Sequence, residues 1–195
     1  MAIIHRTTLT PTKLELLAEW LPTRPWYEAT GRAPEPVKAG GFRLDDPEGE
    51  VGIEFMVVTD ASAAEPVAYF VPMTYRGAPF EGAAEDALIG TSEHGVLGKR
   101  WIYDGVHDPV LADRLLALLR GEAQPQAQSE TDTPDPTVHR AGGPLPAETT
   151  FAALTVSRRL TPSPAPYEET AAAHVTAPWR LADGTEVRGT VVTAG

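Results

Sequence analysis

The sequence contains no cysteine, only three lysines, and no long apolar run. The absence of cysteine excludes disulfides, thiolate metal sites and a cysteine nucleophile. A membrane-spanning helix needs about 18 consecutive apolar residues, and because no such run exists, we predict no contact with a membrane. The first residues, MAIIHRTTL, lack the apolar stretch of a secretion signal. We therefore expect a soluble cytoplasmic protein.

Positive charge is also scarce. The 195 residues include 27 acidic and 16 basic side chains, which gives a formal charge of −11. Nucleic-acid binding requires clustered cations that displace phosphate counterions, and no such cluster is present, so we predict no nucleic-acid partner. Hydrophobic residues make up 42% of the chain, which is enough for a buried core in one domain with an appendage, or in two small subdomains.

Two segments have the apolar spacing of a helix. In the first, Thr10 is the expected N-cap, Pro11 the first helical residue and Pro22 the stop, and a possible capping box joins Thr12 to Glu15.

The second helical segment has the clearest boundaries in the sequence. Asp108 is a typical N-cap, Pro109 suits the first helical position, and Gly121 follows as the C′ residue. Leu115 belongs to an apolar face that we expect to lie on a sheet.

A periodicity of two, typical of β-strands, predicts four strands before this second helix. They cover residues 41–44, 52–59, 66–75 and 97–103, and the glycine-containing residues 90–98 are expected to form mostly loop. The segment IEFMVV, within 52–59, is almost continuously apolar. Such a strand should be central in a sheet or covered on both faces.

After the second helix the composition changes. Residues 122–147 contain five prolines and few large apolar side chains, and we predict a flexible linker that is extended or mobile. Beyond it, residues 149–160, 174–181 and 185–193 are predicted strands, and an Asp-Gly turn joins the last two. Residues 167–173 are a candidate short helix.

Three motifs follow one another in the first 121 residues: GIEFMVVTD, VPMTYRGAP, and LIGTSEHGVLGKRWIYDGVHDPVLADRLLALL. The last is the most specific. Together with the earlier LLAEWLPTRPWY they resemble the N-terminal cap domain of bacterial maltokinases. The resemblance covers about three-fifths of the chain, and it implies a cap sheet of cystatin-like topology.

The tail has a weaker resemblance to the intermediate subdomain of maltokinases, which corresponds to a kinase N-lobe. In that subdomain a QSNTS-like loop holds phosphates, and an LKxxRRL strand supplies the lysine that contacts ATP. Here LTVSRRLTPSPAPYEET, residues 154–170, resembles this strand and the segment after it. Thr155 lies at the lysine position, and PAETT, residues 146–150, lies where the phosphate loop should be.

This departure from the family pattern has a consequence for chemistry. Phosphoryl transfer depends on positioning and on charge neutralisation by lysine, magnesium and backbone donors. Threonine has no positive charge, the tail contains no lysine, and the chain ends at Gly195 before a lobe that could supply catalytic and magnesium-binding carboxylates. The resemblance therefore implies a cap with a degenerate N-lobe remnant, and we predict no kinase activity and no cofactor.

Other catalytic chemistry has little support in the sequence. There is no His-Glu-x-x-His motif and no nucleophile elbow of the form Gly-x-Ser-x-Gly. Acidic and histidine side chains flank the fourth predicted strand and could converge on a metal. The simpler interpretation is that Asp108 caps a helix and the histidines are surface groups. We assign no catalytic, cofactor-binding or metal-binding residue.

A ligand or partner surface is the remaining candidate site. Aromatic faces can stack on sugars, and we expect Trp26 and Tyr27, in a proline-rich loop, to be more accessible than Trp20 and Trp101, which fit a core. The candidate surface residues are Trp26, Tyr27, Glu93, His94, Asp104 and His107.

The sequence thus predicts an α+β fold: a curved antiparallel sheet with packed helices over residues 1–121, a flexible linker over 122–147, and a small β-rich element over 148–195. Two functions are retained. The first is a non-catalytic cap protein with a protein partner among α-glucan or trehalose enzymes. The second is a sugar-binding module with a groove near Trp26, Tyr27 and residues 90–98. An enzyme of another type ranks last.

Overall fold

We describe the fold from a computed structural model, which covers residues 8–163 and 172–195; most of the candidate helix 167–173 lies outside these residues. The α-helices are α1 (Lys13–Trp20) and α2 (Pro109–Arg120). The strands are β1 (Leu9–Thr10), β2 (Pro36–Leu44), β3 (Gly52–Asp60), β4 (Ala68–Arg76), β5 (Leu88–His94), β6 (Gly98–Asp104), β7 (Gln126–Ala127), β8 (His139–Ala141), β9 (Leu154–Val156), β10 (Arg159–Leu160), β11 (His174–Arg180) and β12 (Glu186–Ala194).

Helix α1 begins with the predicted capping box. The Thr12 hydroxyl accepts a hydrogen bond from the Glu15 amide (3.3 Å), and the Glu15 carboxylate accepts one from the Thr12 amide (2.7 Å). The N-cap is therefore Thr12, and the prediction of Thr10 was wrong, because Pro11 lies before the helix. Pro22 lies in a short 3-10 turn that ends the helix.

Helix α2 has the predicted boundaries. The Asp108 carboxylate accepts a hydrogen bond from the Val110 amide (3.0 Å), and Pro109 is the first helical residue. Gly121 adopts a left-handed conformation (φ 79°), which a glycine tolerates without steric cost and which ends the helix.

The strands of the larger sheet are all antiparallel, in the order β1-β5-β6-β4-β3-β2-β7, and β10 pairs with β4. The sheet is curled, and the fold is α+β with mostly β structure, which confirms the predicted class. Strand β5 corrects the prediction of mostly loop at residues 90–98. The glycines suggested a loop, but Gly90 lies in the strand at a site where a Cβ atom would come within 2.7 Å of Leu16 on α1.

Both faces of this sheet are covered. On one face, Leu17 and Trp20 of α1 pack against residues that include Met56 and Val58 of β3. On the other, α2 and the second sheet cover an aromatic stack in which the rings of Phe42 and Phe55 lie 4.6 Å apart. The continuous apolar sequence of β3 is explained because the strand is central and buried on both sides.

The second sheet has the order β8-β11-β12-β9. Strands β11 and β12 form the predicted hairpin, and Asp183 in its turn accepts a hydrogen bond from the Thr185 amide (2.9 Å). The single strand predicted over 149–160 is instead a 3-10 turn (Phe151–Ala153) followed by β9 and β10. It is interrupted because β9 pairs with β12, whereas β10 crosses to the larger sheet.

Residues 122–147 contain two short strands in the structure. Strand β7 pairs with β2, β8 pairs with β11, and Val138 and Leu145 are buried. One hydrophobic cluster includes side chains from 1–121, 122–147 and 148–195. The division of the chain at these boundaries, and the mobility of 122–147, stay predictions. Neither of the two α-helices in the described parts of the chain is long and apolar enough to cross a membrane.

Candidate functional site

The edge of β4 is shared by two strands from distant parts of the chain. Strand β6 pairs with residues from Met73 to Arg76, and β10 pairs with Ala68 and Tyr69. Between them, the backbone carbonyl of Arg158 accepts a hydrogen bond from the Phe70 amide (3.0 Å). The tail thus pairs with the part of the β4 edge that β6 does not cover.

The side chain of Arg158 closes the gap between these strands. Its Nη2 lies 2.5 Å from Oδ2 of Asp104, whose side chain is only 3% exposed. The guanidinium also lies 5.2 Å from the ring centroid of Trp26, within the range of a cation–π interaction. Within the described residues, Asp104 Oδ1 and Arg158 Nη1 have no hydrogen-bond partner. The buried pair therefore has one acceptor atom and one donor atom that could still form a hydrogen bond.

The aromatic residues beside Arg158 form one layer on the same face as α1. Trp26 lies 5.7 Å from Trp20 and 5.8 Å from Tyr69, and Tyr27 lies 5.5 Å from Tyr69, between ring centroids. Trp26 and Tyr27 are half-buried. Such packing stabilises the loop that follows α1 and leaves part of each ring at the surface.

Asp60 fixes the next part of this loop. Its carboxylate accepts hydrogen bonds from the Tyr27 hydroxyl (2.6 Å) and from the amides of Glu35 and Ser62 (both 2.9 Å). Burial opposes ionisation of Asp60, but these hydrogen bonds hold its pKa below the ordinary value. Burial, together with the bond to Asp60, raises the pKa of Tyr27. Asp60 is therefore a buried anion with a structural role.

A cavity of about 390 Å³ opens next to Asp60. Its volume lies in the range of small-molecule sites. Among its lining residues are Glu28, Thr30, Arg32, Ser62 and Tyr69. Carboxylate, guanidinium and hydroxyl groups in a partly apolar wall are suited to a small hydroxylated ligand.

The structure separates the six candidate residues into two groups. Trp26 and Asp104 contact Arg158, and Tyr27 packs on Tyr69 beside Trp26. The exposed His107 follows Asp104 in a 3-10 turn. Glu93 and His94 lie at the opposite end of β6, facing Lys99 and Gly98. Since six strand residues span about 20 Å, the two groups do not form one site.

The possible metal cluster is also divided by this geometry, because Glu93 and His94 lie far from Asp104. Across residues 8–163 and 172–195, no three acidic or histidine side chains are arranged to hold a metal ion. His94 has a structural role instead, since its Nδ1 accepts hydrogen bonds from the amides of Val96 and Leu97 at 3.2 and 3.0 Å. It braces the β5–β6 turn.

Sequence reasoning missed a buried carboxylate, Glu54. Lys13 donates to both of its oxygens (2.7 and 2.9 Å), Tyr75 donates at 2.5 Å and Gln128 at 2.6 Å. Burial opposes ionisation, but these donors hold the pKa of Glu54 below its ordinary value. A glutamate within an apolar strand, IEFMVV, was the signal that could have identified it.

Asp108 has a second partner besides the helix it caps. The Arg76 guanidinium donates two hydrogen bonds to its carboxylate, at 2.8 and 2.7 Å. Burial opposes ionisation of Asp108, and the bonds from Arg76 and neighbouring groups hold its pKa below the ordinary value. The YDGVHDP segment is therefore held by two acidic residues: Asp104 pairs with Arg158 of the tail, and Asp108 pairs with Arg76 of β4.

The tail motif that resembles the ATP-binding strand corresponds to β9. Thr155 lies on this strand opposite Thr193, and its side chain is exposed. Arg158, in the same motif, is directed to Asp104 and Trp26. The basic residues of the motif thus attach the tail to the cap sheet.

Comparison with protein families finds a match over part of the chain. Residues 20–108 match the maltokinase N-terminal cap domain, a non-catalytic N-terminal part of maltokinase. The matched region ends at Asp108, so α2 and the tail lie outside it. No curated protein matches the sequence of this chain. Over residues 20–108, a little under half of its length, the chain is therefore similar to the maltokinase N-terminal cap domain.

Proposed function

We propose that the chain is a non-catalytic interaction module that binds an enzyme of maltose, trehalose or glycogen metabolism. The observation that carries the proposal is Thr155, whose exposed hydroxyl on β9 lies at the position that resembles the ATP lysine. A hydroxyl cannot neutralise phosphate charge, which is what phosphoryl transfer requires. The next cation of the motif, Arg158, is paired with Asp104.

The similarity of residues 20–108 to the maltokinase cap domain supports the link to α-glucan chemistry. The candidate contact surface is the end of the larger sheet where Trp26 is half-buried and His107 is exposed. A rigid aromatic side chain beside polar groups is a common anchor of protein interfaces.

Affinity capture from native cytoplasm, followed by binding of the purified captured enzyme, tests the proposal. We expect one enzyme of α-glucan or trehalose metabolism to bind the purified chain directly. A His107→Glu variant should weaken this binding, whereas Val37→Ser, a change at an exposed residue on β2, should not. The proposal fails if no such enzyme binds the purified chain.

The cavity beside Asp60 favours a second candidate, the sugar-binding module. A ligand that binds only the native state raises the melting temperature as its concentration rises. If the cavity binds a sugar, maltose or trehalose should raise the melting temperature, and Thr30→Val, which removes a lining hydroxyl, should reduce that rise. An unchanged melting temperature at saturating concentrations of both sugars would eliminate this candidate.

A further inference from the structure

An open cavity of about 640 Å³ lies where α2 ends, beside the segment that follows this helix. Its volume is within the range of small-molecule sites. The lining includes Arg120, which is the last residue of α2, Glu122, and Arg140 of β8. These residues lie outside residues 20–108, the region that matches the cap domain. The cavity is therefore separate from both surfaces considered above.

Two guanidinium groups form the polar wall of this cavity. Arg120 Nη2 donates to two backbone carbonyls, at 3.0 and 3.2 Å, and Arg140 donates to two others through Nε (2.9 Å) and Nη2 (2.6 Å). A guanidinium has five N–H groups, so both arginines retain donors after these bonds. Within residues 8–163 and 172–195, neither forms an ion pair with a carboxylate. The two charges are therefore not neutralised by a side chain in the described parts of the chain.

The wall that carries these groups is firmly packed. The four backbone contacts fix the direction of both arginine side chains. Gly142, in the wall, has a φ of 84°, and a Cβ atom there would come within 2.1 Å of the Ala172 carbonyl. The side chain of Leu145, also in the wall, is buried. Because the donors are already positioned, little conformational entropy is lost when a ligand binds.

The local charge of the cavity is positive, although the chain as a whole has a charge of −11. The end of a helix contributes about half a negative elementary charge. Here the carbonyls of residues 117–119 already accept hydrogen bonds from the amides that follow the helix and from Arg140. Among the described residues, the exposed Glu122 is the one carboxylate in the lining. Two guanidinium charges outweigh these two negative contributions, so the cavity favours an anion.

The number of positive charges favours phosphate among the common anions. A phosphate ester carries about −1.5 to −2 charges at neutral pH and has three strong acceptor oxygens, which suits two guanidinium groups. A single carboxylate would need only one of them. The cavity also has room for an organic body beside the phosphate. Glu122 opposes a ligand with many negative charges, such as a nucleic acid, but its carboxylate can accept a hydrogen bond from a hydroxyl group.

We propose that this cavity binds a small molecule with one phosphate group and a hydroxyl-bearing body. Arg120 and Arg140 donate to the phosphate oxygens, and Glu122 accepts a hydrogen bond from a ligand hydroxyl. This inference does not depend on the function proposed above.

Calorimetric titration of the full chain tests the proposal, with inorganic phosphate and glycerol 3-phosphate as probes up to about 10 mM at constant ionic strength. Both probes should bind saturably, and glycerol 3-phosphate should bind more tightly, because its hydroxyl groups reach Glu122. Succinate, an anion without phosphate, should bind at least about tenfold more weakly. Saturable binding of neither phosphate probe overturns the proposal, and succinate binding as tight as that of glycerol 3-phosphate overturns the assignment to phosphate.

Charge variants identify the groups that bind the probe. Arg120→Gln and Arg140→Gln should each raise the dissociation constant for inorganic phosphate at least about tenfold, because a charged donor is lost. Arg180→Gln is the matched control, since this exposed arginine lies on β11 away from the cavity lining, and it should leave the constant unchanged. Binding that both arginine variants of the cavity leave unchanged would overturn the proposal.

Glu122→Gln separates ligand binding from a purely structural role of the arginines. Glu122 is exposed, so this change should leave the melting temperature of the free protein unaltered. It should tighten the binding of inorganic phosphate about twofold or more, because one repulsive charge is removed, and it should reduce the preference for glycerol 3-phosphate. Weaker binding of inorganic phosphate by this variant would contradict the proposed charge arrangement.

Discussion

Asp108 combines two roles at the start of α2. Its carboxylate caps the helix through the Val110 amide and holds the Arg76 guanidinium by two hydrogen bonds, and its side chain is fully buried. Loss of a cap costs about 1 kcal/mol, whereas removal of one partner from a buried ion pair costs about 3–5 kcal/mol. The second role therefore dominates the energetics.

Replacement of Asp108 by alanine should lower the free energy of unfolding by about 3 kcal/mol, because a helix cap and a buried partner of Arg76 are both lost. Asp113→Ala is the matched control, since Asp113 is exposed on the same helix. That change should alter stability by less than about 0.5 kcal/mol. Denaturant midpoints measure both. An Asp108→Ala variant as stable as the parent would remove the structural role assigned to this residue.

Glu54 and Tyr75 should each control one limb of the pH dependence of stability. Hydrogen bonds and Lys13 lower the pKa of the buried Glu54 against the effect of burial, whereas burial first, and then the charge of Glu54, raises the pKa of Tyr75. Glu54 contributes to the free energy of unfolding above its ordinary pKa of 4.5, and this contribution is lost as the pH falls through its pKa in the folded protein. Tyr75 contributes to the free energy of unfolding below its ordinary pKa of 10.0, and this contribution is lost as the pH rises towards its pKa in the folded protein.

Denaturant unfolding at a series of pH values tests this assignment. Glu54→Gln should flatten the acid limb, and Tyr75→Phe should flatten the alkaline limb, so that each variant serves as the control for the other. If the acid limb of Glu54→Gln has the same slope as that of the parent, Glu54 is not the group that titrates.

Elements at the sheet edges were the hardest to predict from the sequence. The central strand β3 and helix α2 were evident because their apolar patterns and caps are local. Strand β5 contains glycine and is only half covered, so its pattern resembles a loop. Strand β10 has two residues, and its pairing with β4 depends on contacts about 90 positions away in the chain, which periodicity does not report.

Helix α2 provides a test at the level of one element. Leu115 is fully buried and belongs to the hydrophobic cluster that includes the aromatic stack of the larger sheet. Leu115→Ala should lower the free energy of unfolding by about 2–5 kcal/mol, because the lost contacts leave a cavity. Asp113→Ala on the outer face of the helix again serves as the control. A loss below about 1 kcal/mol would contradict the packing of this helix on the sheet.

The segment 122–147 is predicted to be the most mobile internal stretch. Its ends are attached: β7 pairs with β2, Gln128 donates to Glu54, and Leu145 is buried. Most side chains of residues 129–137 are exposed. Limited proteolysis with a protease of broad specificity should therefore make its first cut within 129–137 and leave a folded N-terminal fragment. Initial cleavage inside 51–75 would contradict this organisation.

At the scale of the whole molecule, the candidate site was only partly predictable. Trp26, Tyr27 and Asp104 were identified from composition and local pattern, and the structure brings them together. Arg158, the residue that joins Trp26 to Asp104, could not be selected, because the approach of the tail to the cap sheet is a tertiary event. For the same reason, Glu93 and His94 could not be separated from the other candidates.

The tail and the cap share one hydrophobic cluster, in which Trp179 of β11 is 1% exposed. The motif that resembles the ATP-binding strand contributes to this packing through Arg158 and β10. Because this motif makes packing contacts and has Thr155 at the lysine position, we infer a structural role for the tail. The tail therefore packs into the same core as the region that matches the cap domain.

Phosphate transfer from magnesium-ATP to maltose, followed with the purified full chain, tests the proposed non-catalytic role most directly. A positive control with an active maltokinase under the same conditions establishes the sensitivity of the assay. We predict no phosphorylated maltose above the protein-free background, because Thr155 cannot replace the charge of a lysine at the phosphates. Formation of phosphorylated maltose in proportion to the amount of chain added would contradict this prediction.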